Sequence, residues 1–392
     1  MRVLIIDSSG ARGGVCAVRA LARAGWLVGV GVSGPGSLPA ASRWCARRHF
    51  VPPAQGDLTD FVTAINTATA EMGYDVVLPV GDAGALALSA ERDRIDAIVP
   101  YAAHEVVTRA FDKLALAEAA TRAGFGVPLT LSAQHGASLL RANGPVVVKA
   151  RLHAPVRNAT APVRMEAEIA PTAGLAMQRA AQIRAVGGDP ILQEVIDGDL
   201  MAYAAVMDRD ARVIAAVQQE AERLWPPGSG VSARARTVAI DPELAEMVQR
   251  LLADLGWMGL MQLQFLVPSD GRPRLVDFNG RLYGSLALAI GAGVNLPALW
   301  AAAATGRAPA AAAAAAIGVR YQWFEGDARL AAGERGVRFV RGALSCLHTA
   351  VRSRHSVWCS RDPKPGLRLA CGLLRHEGLR VPGIAWNRLR AR

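Results

Sequence analysis

Three short apolar runs near the start of the chain are separated by stretches long enough to form helices. The runs are Val3–Ile6, Leu27–Val32 and Val76–Val80, and the helix-length segments between them include 15–24 and 58–71. Strands that alternate with helices form a parallel sheet, because a crossover must return the chain before the next strand can pair. Residues 1 to about 105 are therefore predicted to form a Rossmann-like α/β domain.

A second pattern lies between Gly256 and Ser285, where two apolar segments flank a turn. The turn Ser269-Asp270-Gly271 predicts an antiparallel hairpin. Because side chains alternate along a strand, Asp277, Asn279 and Arg281 share one face, and Gln264 can reach them from the facing strand. Oxygen donors suit a hard cation such as Mg²⁺, and the arginine suits a phosphate or carboxylate. An ordinary surface hairpin explains this stretch alone equally well.

Lysine is rare in this chain. It occurs only at Lys113, Lys149 and Lys364, whereas the other basic residues are arginines. A lysine that remains in such a composition suggests a need for a compact point charge, such as one among phosphate oxygens. Lys149 ends the apolar run 145–149, and Lys113 opens a helix-like run with Asp112 as a candidate cap. The alternative is that three lysines are too few to carry an argument.

Five segments in fixed order resemble the ATP-grasp superfamily, most closely ligases like the carbamoyl phosphate synthetase large subunit. They are FDKLALAEAATRAGFGVP (111–128), PVVVKA (145–150), ILQEVIDGD (191–199), GWMGLMQLQF (256–265) and RLVDFNGRLYGSLALAIGAGVNLP (274–297). The resemblance covers residues 2 to about 307. It implies an α/β and α+β architecture: a Rossmann-like pre-ATP-grasp domain (1–105), a two-lobed ATP-grasp domain (106–310) and a basic, mostly helical C-terminal extension (318–392).

The resemblance also implies roles for individual residues. Lys113 and Lys149 would contact ATP phosphates, and Arg281 would steady a carboxylate or acyl phosphate. Glu194 and the backbone from Val195 to Asp197 would hold the adenine edge, with Asp199 on a ribose hydroxyl. Gln264, Asp277 and Asn279 would bind Mg²⁺, with Mn²⁺ as the alternative metal. Gly10 and Asp82 would belong to the pocket for the other substrate.

Three departures from the family pattern affect these expectations. The segment after Lys149 has no glycine up to Pro162, so the usual lid over the phosphates is altered or lost. Gln219 and Glu220 stand where relatives carry a basic run, and only Arg223 is kept, so the anion site for the substrate is expected to be altered. Gly280 replaces the usual proline between Asn279 and Arg281, which is expected to loosen the backbone that aims Arg281.

The reaction that the resemblance implies is ATP-dependent ligation of a carboxylic acid to an amine, through an acyl phosphate and with C–N bond formation. The substrates would be a small-molecule carboxylate and an amine. The altered lid and the glutamine at 219 also fit an alternative, a nucleotide-binding pseudoenzyme that acts as a sensor or scaffold through its basic C-terminal region.

Composition sets the remaining expectations. Five scattered cysteines without a Cys-x-x-Cys pair are typical of a reduced, cytoplasmic protein without a zinc site. The alanine-rich run after Trp300 is interrupted by Arg307 and Pro309, so no membrane-spanning segment is expected. A soluble protein is predicted.

Most of the positive charge lies near the C-terminus. Residues 318–392 contain 15 basic and five acidic residues, in a chain whose net charge is +11. Three interpretations are open: a helical cap with solvated arginines, a contact for an anionic membrane or a partner protein, and nucleic-acid binding. Apolar residues interleave with arginines at 344–358 and 367–374, which favours packing or a peripheral amphipathic role. The segment lacks a known nucleic-acid-binding motif, which disfavours the third interpretation.

Overall fold

The computed structural model describes residues 1–7, 12–141, 144–152, 166–228, 230–307 and 312–377. The segment 151–162, where the usual lid is expected to be altered or lost, is described only at 151 and 152. Gly10 also lies outside the described residues. Within the described ranges, every helix is too short or too polar to cross a lipid bilayer. All five cysteines are free thiols.

The N-terminal unit is a four-stranded parallel sheet with helices around it, as the sequence predicts. The strand order is β3-β2-β1-β4. Its elements are β1 (Arg2–Asp7), α1 (Arg12–Arg23), β2 (Leu27–Val32), β3 (Cys45–Phe50), α2 (Leu58–Met72), β4 (Val76–Pro79) and α3 (Asp82–Ala90), with short 3₁₀ turns at Pro39–Ala41 and Arg92–Arg94. The sequence analysis did not predict β3. This edge strand reads Cys-Ala-Arg-Arg-His-Phe and is largely exposed, so it lacks the apolar run by which the other strands are recognised.

A small antiparallel sheet forms the first lobe of the next unit, with strand order β5-β8-β6-β7. The elements are α4 (His104–Phe111), α5 (Lys113–Ala123), β5 (Thr130–Ser132), α6 (Ala137–Arg141), β6 (Val146–Ala150), β7 (Glu168–Ala170), α7 (Ala173–Ala185) and β8 (Pro190–Glu194). Asp112 caps α5, because its carboxylate accepts hydrogen bonds from the backbone N–H groups of Leu114 and Ala115. The cap fixes the start of the helix at Lys113.

A six-stranded antiparallel sheet forms the second lobe, in the order β13-β12-β9-β10-β11-β14. Its elements are β9 (Asp199–Met207), β10 (Val213–Trp225), β11 (Val231–Val238), α8 (Pro242–Leu255), β12 (Gly259–Val267), β13 (Arg274–Asn279), α9 (Leu286–Gly291), α10 (Leu296–Ala304) and β14 (Arg320–Gln322). The predicted hairpin is β12 and β13, and Gln264 lies directly opposite Asp277 across it.

The C-terminal region continues into α11 (Phe324–Ala332), α12 (Val337–Ala350) and α13 (Lys364–Glu377). It packs on the rest of the chain rather than extending from it. Asp327 is fully buried and pairs with Arg234 at 2.6 Å, and Asp362 is buried against Arg19 at 2.8 Å. Because β14 pairs with β11, residues 320–322 belong to the six-stranded sheet rather than to a separate extension that begins at 318.

Candidate functional site

Four polar side chains share one face of the β12–β13 hairpin. Gln264 lies opposite Asp277, and Gln262 lies opposite Asn279. On the other face, Met261, Leu263 and Phe265 are fully buried in the core. Gln262 is also buried, and the sequence analysis missed it. The signal was present, since period-two alternation places Gln262 on the same face as Gln264.

Two lysines approach this hairpin from the first lobe. The Nζ of Lys149, on β6, donates to the backbone oxygen of Val276 at 3.1 Å. The Nζ of Lys113, at the start of α5, lies 4.0 Å from Oδ1 of Asp277. Both side chains are buried, although they come from elements far apart in sequence from β13. The structure therefore brings Lys113, Lys149 and Asp277 together.

Opposing effects act on the pKa of Lys149. Burial, together with the neighbouring charge of Lys113, lowers the pKa of Lys149 to about 7, and the carboxylate of Asp277 opposes that shift. An anion that entered this cluster would favour the charged form, which suits a site for a polyanion.

Arg281 is held in a fixed orientation at the end of the hairpin. Its Nε donates to Oδ1 of Asp82 at 3.0 Å, and its Nη2 donates to the side-chain oxygen of Asn279 at 2.7 Å. Asp82 begins α3 in the N-terminal unit, so this pair joins the hairpin to the carboxyl edge of the parallel sheet. The predicted candidates Asp82, Asn279 and Arg281 therefore form one connected group.

The backbone before Arg281 is tightly packed, contrary to the expectation that Gly280 loosens it. A Cβ on Gly280 would lie 2.3 Å from Cη2 of Trp257 and 2.7 Å from Cε1 of Phe111. The hydroxyl of Tyr101 also donates to the Gly280 oxygen at 2.5 Å. The expectation was wrong because it considered only the conformational freedom of glycine and not the aromatic side chains packed against it.

The positions where a basic run was expected carry a neutral network instead. The Nε2 atoms of Gln219 and Gln262 lie 3.1 and 3.2 Å from the hydroxyl oxygen of Ser285. Arg223, the basic residue that remains in this region, lies 3.3 Å from the buried carboxylate of Asp327. Both the neutral network and this ion pair agree with the expectation that the anion site is altered.

The segment predicted to hold the adenine connects the two lobes. Glu194 ends β8, and its carboxylate accepts from the backbone N–H of Leu129 at 3.1 Å. In the first lobe, Glu194 pairs with Val146, and Ile191 pairs with Lys149. The predicted adenine contact at Glu194 and the predicted phosphate contact at Lys149 are therefore three residues, or about 10 Å, apart along the strands. Asp197 and Asp199 are exposed. Strand alternation directs Asp199 to the sheet face opposite that of Gln264, so the structure does not bring it into the cluster.

The predicted metal donors on this face are one carboxylate and neutral amides. Among the described residues, no three His, Cys, Asp or Glu side chains lie close enough to hold a metal ion. Asp277 and Gln264 are partly exposed, whereas the oxygen of Asn279 already accepts from Arg281. The donor set is all oxygen, which fits Mg²⁺ or Mn²⁺ with most of the coordination completed by water and phosphate.

The arrangement defines a class of protein. A domain with a parallel sheet precedes two lobes with antiparallel sheets, and the two lobes face each other across a polar cluster. This is the ATP-grasp fold. Residues 189–327 match a family described as ATP-grasp in the biosynthetic pathway with Ter operon. The predicted fold and the predicted resemblance to the ATP-grasp superfamily are confirmed. The closer resemblance to carbamoyl phosphate synthetase stays a prediction.

Solved structures with this fold cover most of the chain at low identity. The L-amino acid ligase from Bacillus licheniformis is 17% identical, with a TM-score of 0.56 over 77% of this chain and 74% of that one. N5-carboxyaminoimidazole synthetase from Staphylococcus aureus, complexed with ADP, is 14% identical, with a TM-score of 0.58 over 79% and 78%. The biotin carboxylase domain of the Hydrogenobacter thermophilus 2-oxoglutarate carboxylase is 14% identical, with a TM-score of 0.61 over 81% and 73%. No curated protein sequence matches the chain.

Proposed function

We propose that this protein is an ATP-dependent ligase that joins a carboxylic acid to an amine through an acyl phosphate. The observation that carries the proposal is the convergence of Lys113 and Lys149, from the first lobe, on Asp277 in the second. Two cations and a carboxylate at the junction of two lobes suit a nucleotide phosphate chain with its metal. An amino acid ligase and an ADP-bound synthetase among the structural relatives support the same reaction class.

ATP would lie along β8 and β6, with its adenine at Glu194 and the backbone of Val195 to Asp197. The separation of about 10 Å between Glu194 and the row of Lys149 leaves room for the ribose between the base and the phosphates. Asp199, at the start of β9, is the proposed partner of a ribose hydroxyl. Its side chain leaves the sheet face opposite that of Gln264, so this contact would lie away from the metal donors.

Gln264 and Asp277, with Asn279 beside them, would hold Mg²⁺ or Mn²⁺ next to the lysines. The metal would neutralise phosphate charge in the bound nucleotide. Because the donor set has a single carboxylate, the protein alone would bind the metal weakly, and the nucleotide phosphates would complete the site.

The chain's own residues would then act by position and charge. A carboxylate oxygen of the acid attacks the γ-phosphorus of ATP, the bond to the β,γ-bridging oxygen breaks, and ADP leaves. The amine nitrogen next attacks the acyl carbon, phosphate leaves, and the nitrogen gives up a proton. Lys113 and Lys149 would offset charge on the transferring group, while Arg281, oriented by Asp82, would steady the acid.

A nucleotide-binding protein without turnover is the second candidate. It is favoured by the hydrogen-bonded network of Gln219, Gln262 and Ser285. This network lies on the sheet face that carries the candidate site, and its three side chains are neutral. Such a protein would keep the lysines for binding ATP but would lack the basic run that relatives carry for a second, anionic substrate.

Calorimetric titration with ATP, with and without Mg²⁺, tests the site before any substrate is known. We expect metal-dependent binding that is weakened at least about tenfold in Asp277→Asn. Asp270→Asn is the matched control, because Asp270 lies in the turn of the same hairpin, where its carboxylate accepts hydrogen bonds from the backbone N–H of Arg272 and from Nη2 of Arg274. Absence of ATP binding by the wild type would overturn both candidates.

ADP release over a panel of acids and amines separates the candidates. Release that requires one acid and one amine together supports the ligase. Binding without release for any pair supports the protein that binds nucleotide without turnover.

A further inference from the structure

Helix α12 presents an apolar stripe to solvent. Val337, Val340, Leu344, Leu347 and Val351 follow each other at intervals of three and four residues, and so lie on one side of the helix. Each of these side chains is 53–82% exposed. A large contiguous apolar surface of this kind marks an interaction site in a folded protein.

Basic residues flank the stripe along one side. Arg338, Arg341 and Arg352 lie next to it, with His348 in contact with Arg352, and the helix from Val337 to Ala350 contains no acidic residue. Arg338 and Arg341 also line a cleft of about 590 Å³ between α12 and β10, to which Arg223 and Ser345 contribute. Glu334 is the acidic residue in this lining.

The helix is held firmly from beneath, so the stripe is a fixed surface. Cys346 and Thr349 are buried on the opposite side. The Nε2 of Gln322 donates to the Cys346 backbone oxygen at 2.9 Å, and Nη1 of Arg234 donates to the Ser345 hydroxyl at 3.0 Å. Nothing in the described part of the chain covers the outer side, where the stripe stays exposed.

We infer that this face of α12 docks on an anionic lipid bilayer. The apolar stripe enters the boundary between headgroups and acyl chains, the flanking arginines contact lipid phosphates, and the arginine-lined cleft receives a headgroup. Charge disfavours antiparallel pairing with a second copy of the chain, because that arrangement would bring the two arginine flanks together. A nucleic acid would use the arginines but would leave the stripe exposed.

Vesicle cosedimentation with the full chain tests the inference. We expect binding to vesicles of phosphatidylcholine mixed with phosphatidylglycerol, and at least about tenfold weaker binding to phosphatidylcholine alone. The Leu344→Ser/Leu347→Ser double variant should bind the mixed vesicles at least about tenfold less, since it removes apolar area from the stripe. Arg338→Gln/Arg341→Gln should lose affinity and also lose most of the dependence on anionic lipid.

Leu175→Ser is the control, because Leu175 is 47% exposed on α7 and lies outside the stripe. It should bind as the wild type does. Equal binding to both vesicle types, or no binding to either, would overturn the inference. So would light scattering that shows a wild-type dimer converted to a monomer by the Leu344→Ser/Leu347→Ser variant, because the stripe would then be covered by a second copy.

Discussion

Two of the three lysines lie in the candidate site, and the third, Lys364, is exposed at the start of α13. If Lys149 stabilises charge on the transferring phosphoryl group, Lys149→Ala should slow ADP release about 10²-fold, the scale of losing one preorganised charge contact. Single-turnover kinetics with saturating ATP measures that step. Lys364→Ala should leave the rate unchanged, and an unchanged rate in Lys149→Ala as well would remove Lys149 from the mechanism.

The lowered pKa of Lys149 predicts how stability changes with pH. The side chain gives up its proton near pH 7 in the folded protein but near its ordinary value of 10.5 in the unfolded chain. The unfolded state therefore binds more protons between these values, so this group's contribution to the unfolding free energy rises as pH increases from 7 to 10.

Lys149→Met should remove this dependence. Urea denaturation should show the variant as more stable than the wild type at pH 6, with the difference shrinking towards pH 10. A constant difference across that range would show that Lys149 has an unshifted pKa in the folded protein.

At the scale of single elements, the start of α5 links stability to nucleotide binding. Asp112 caps this helix and also pairs with Arg151 at 2.6 Å, and Lys113 is its first residue. Asp112→Ala should lower the free energy of unfolding by about 1–2 kcal/mol, because the first turn of α5 loses its cap. It should also weaken ATP binding, because that turn positions Lys113. Urea denaturation and calorimetry measure the two effects.

Asp57→Ala is the matched control for that experiment, since Asp57 caps α2 in the N-terminal unit through the N–H of Thr59. It should lower stability by a similar amount and leave ATP binding unchanged. Equal weakening of ATP binding in both variants would show that the effect is general destabilisation.

The elements that could be predicted from sequence are those with a strong local signal. The parallel strands of the N-terminal unit, the β12–β13 hairpin and the Asp112 cap each follow from apolar runs, turn residues or a capping side chain. By contrast, β3 and β14 are short or charged edge strands that exist because a neighbouring strand offers unpaired backbone groups. No pattern within those segments indicates such a neighbour.

The same limit applies to the candidate site. The shared face of Gln264, Asp277 and Asn279 follows from strand periodicity, and Gln262 could have been found in the same way. Three other contacts join residues that are far apart in sequence or are brought together by the tertiary fold. They are the pairing of Arg281 with Asp82, the packing of Trp257 on Gly280 and the pairing of Arg223 with Asp327. These contacts are products of tertiary packing and have no signature in local sequence.

At the scale of the whole molecule, a buried ion pair joins the C-terminal region to the first helix. Asp362 accepts from Nε of Arg19 at 2.8 Å, from the Ser42 hydroxyl at 2.6 Å and from the backbone N–H of Arg43 at 2.9 Å. Asp362→Ala should cost about 3–5 kcal/mol, because it leaves the Arg19 guanidinium buried without a counter-charge. The urea midpoint should fall accordingly.

Asp254→Ala is the comparison for this prediction. Asp254 pairs with Arg109 and Arg122, but all three side chains are about a third or more exposed. Solvent screens such pairs, so the cost should be about 1 kcal/mol or less. Similar losses in the two variants would contradict the importance of burial for the Asp362 pair.

The position of β14 has a consequence for how the protein is made. Residues 320–322 pair with Arg234–Arg236 of β11, so the last strand of the sheet in chain order is made long after the strand with which it pairs. At ordinary rates of translation, a ribosome needs roughly ten seconds to add the intervening segment. During that interval the nascent chain carries an open β11 edge that can pair with other chains. The yield of native protein therefore depends on what shields that edge while synthesis is still under way.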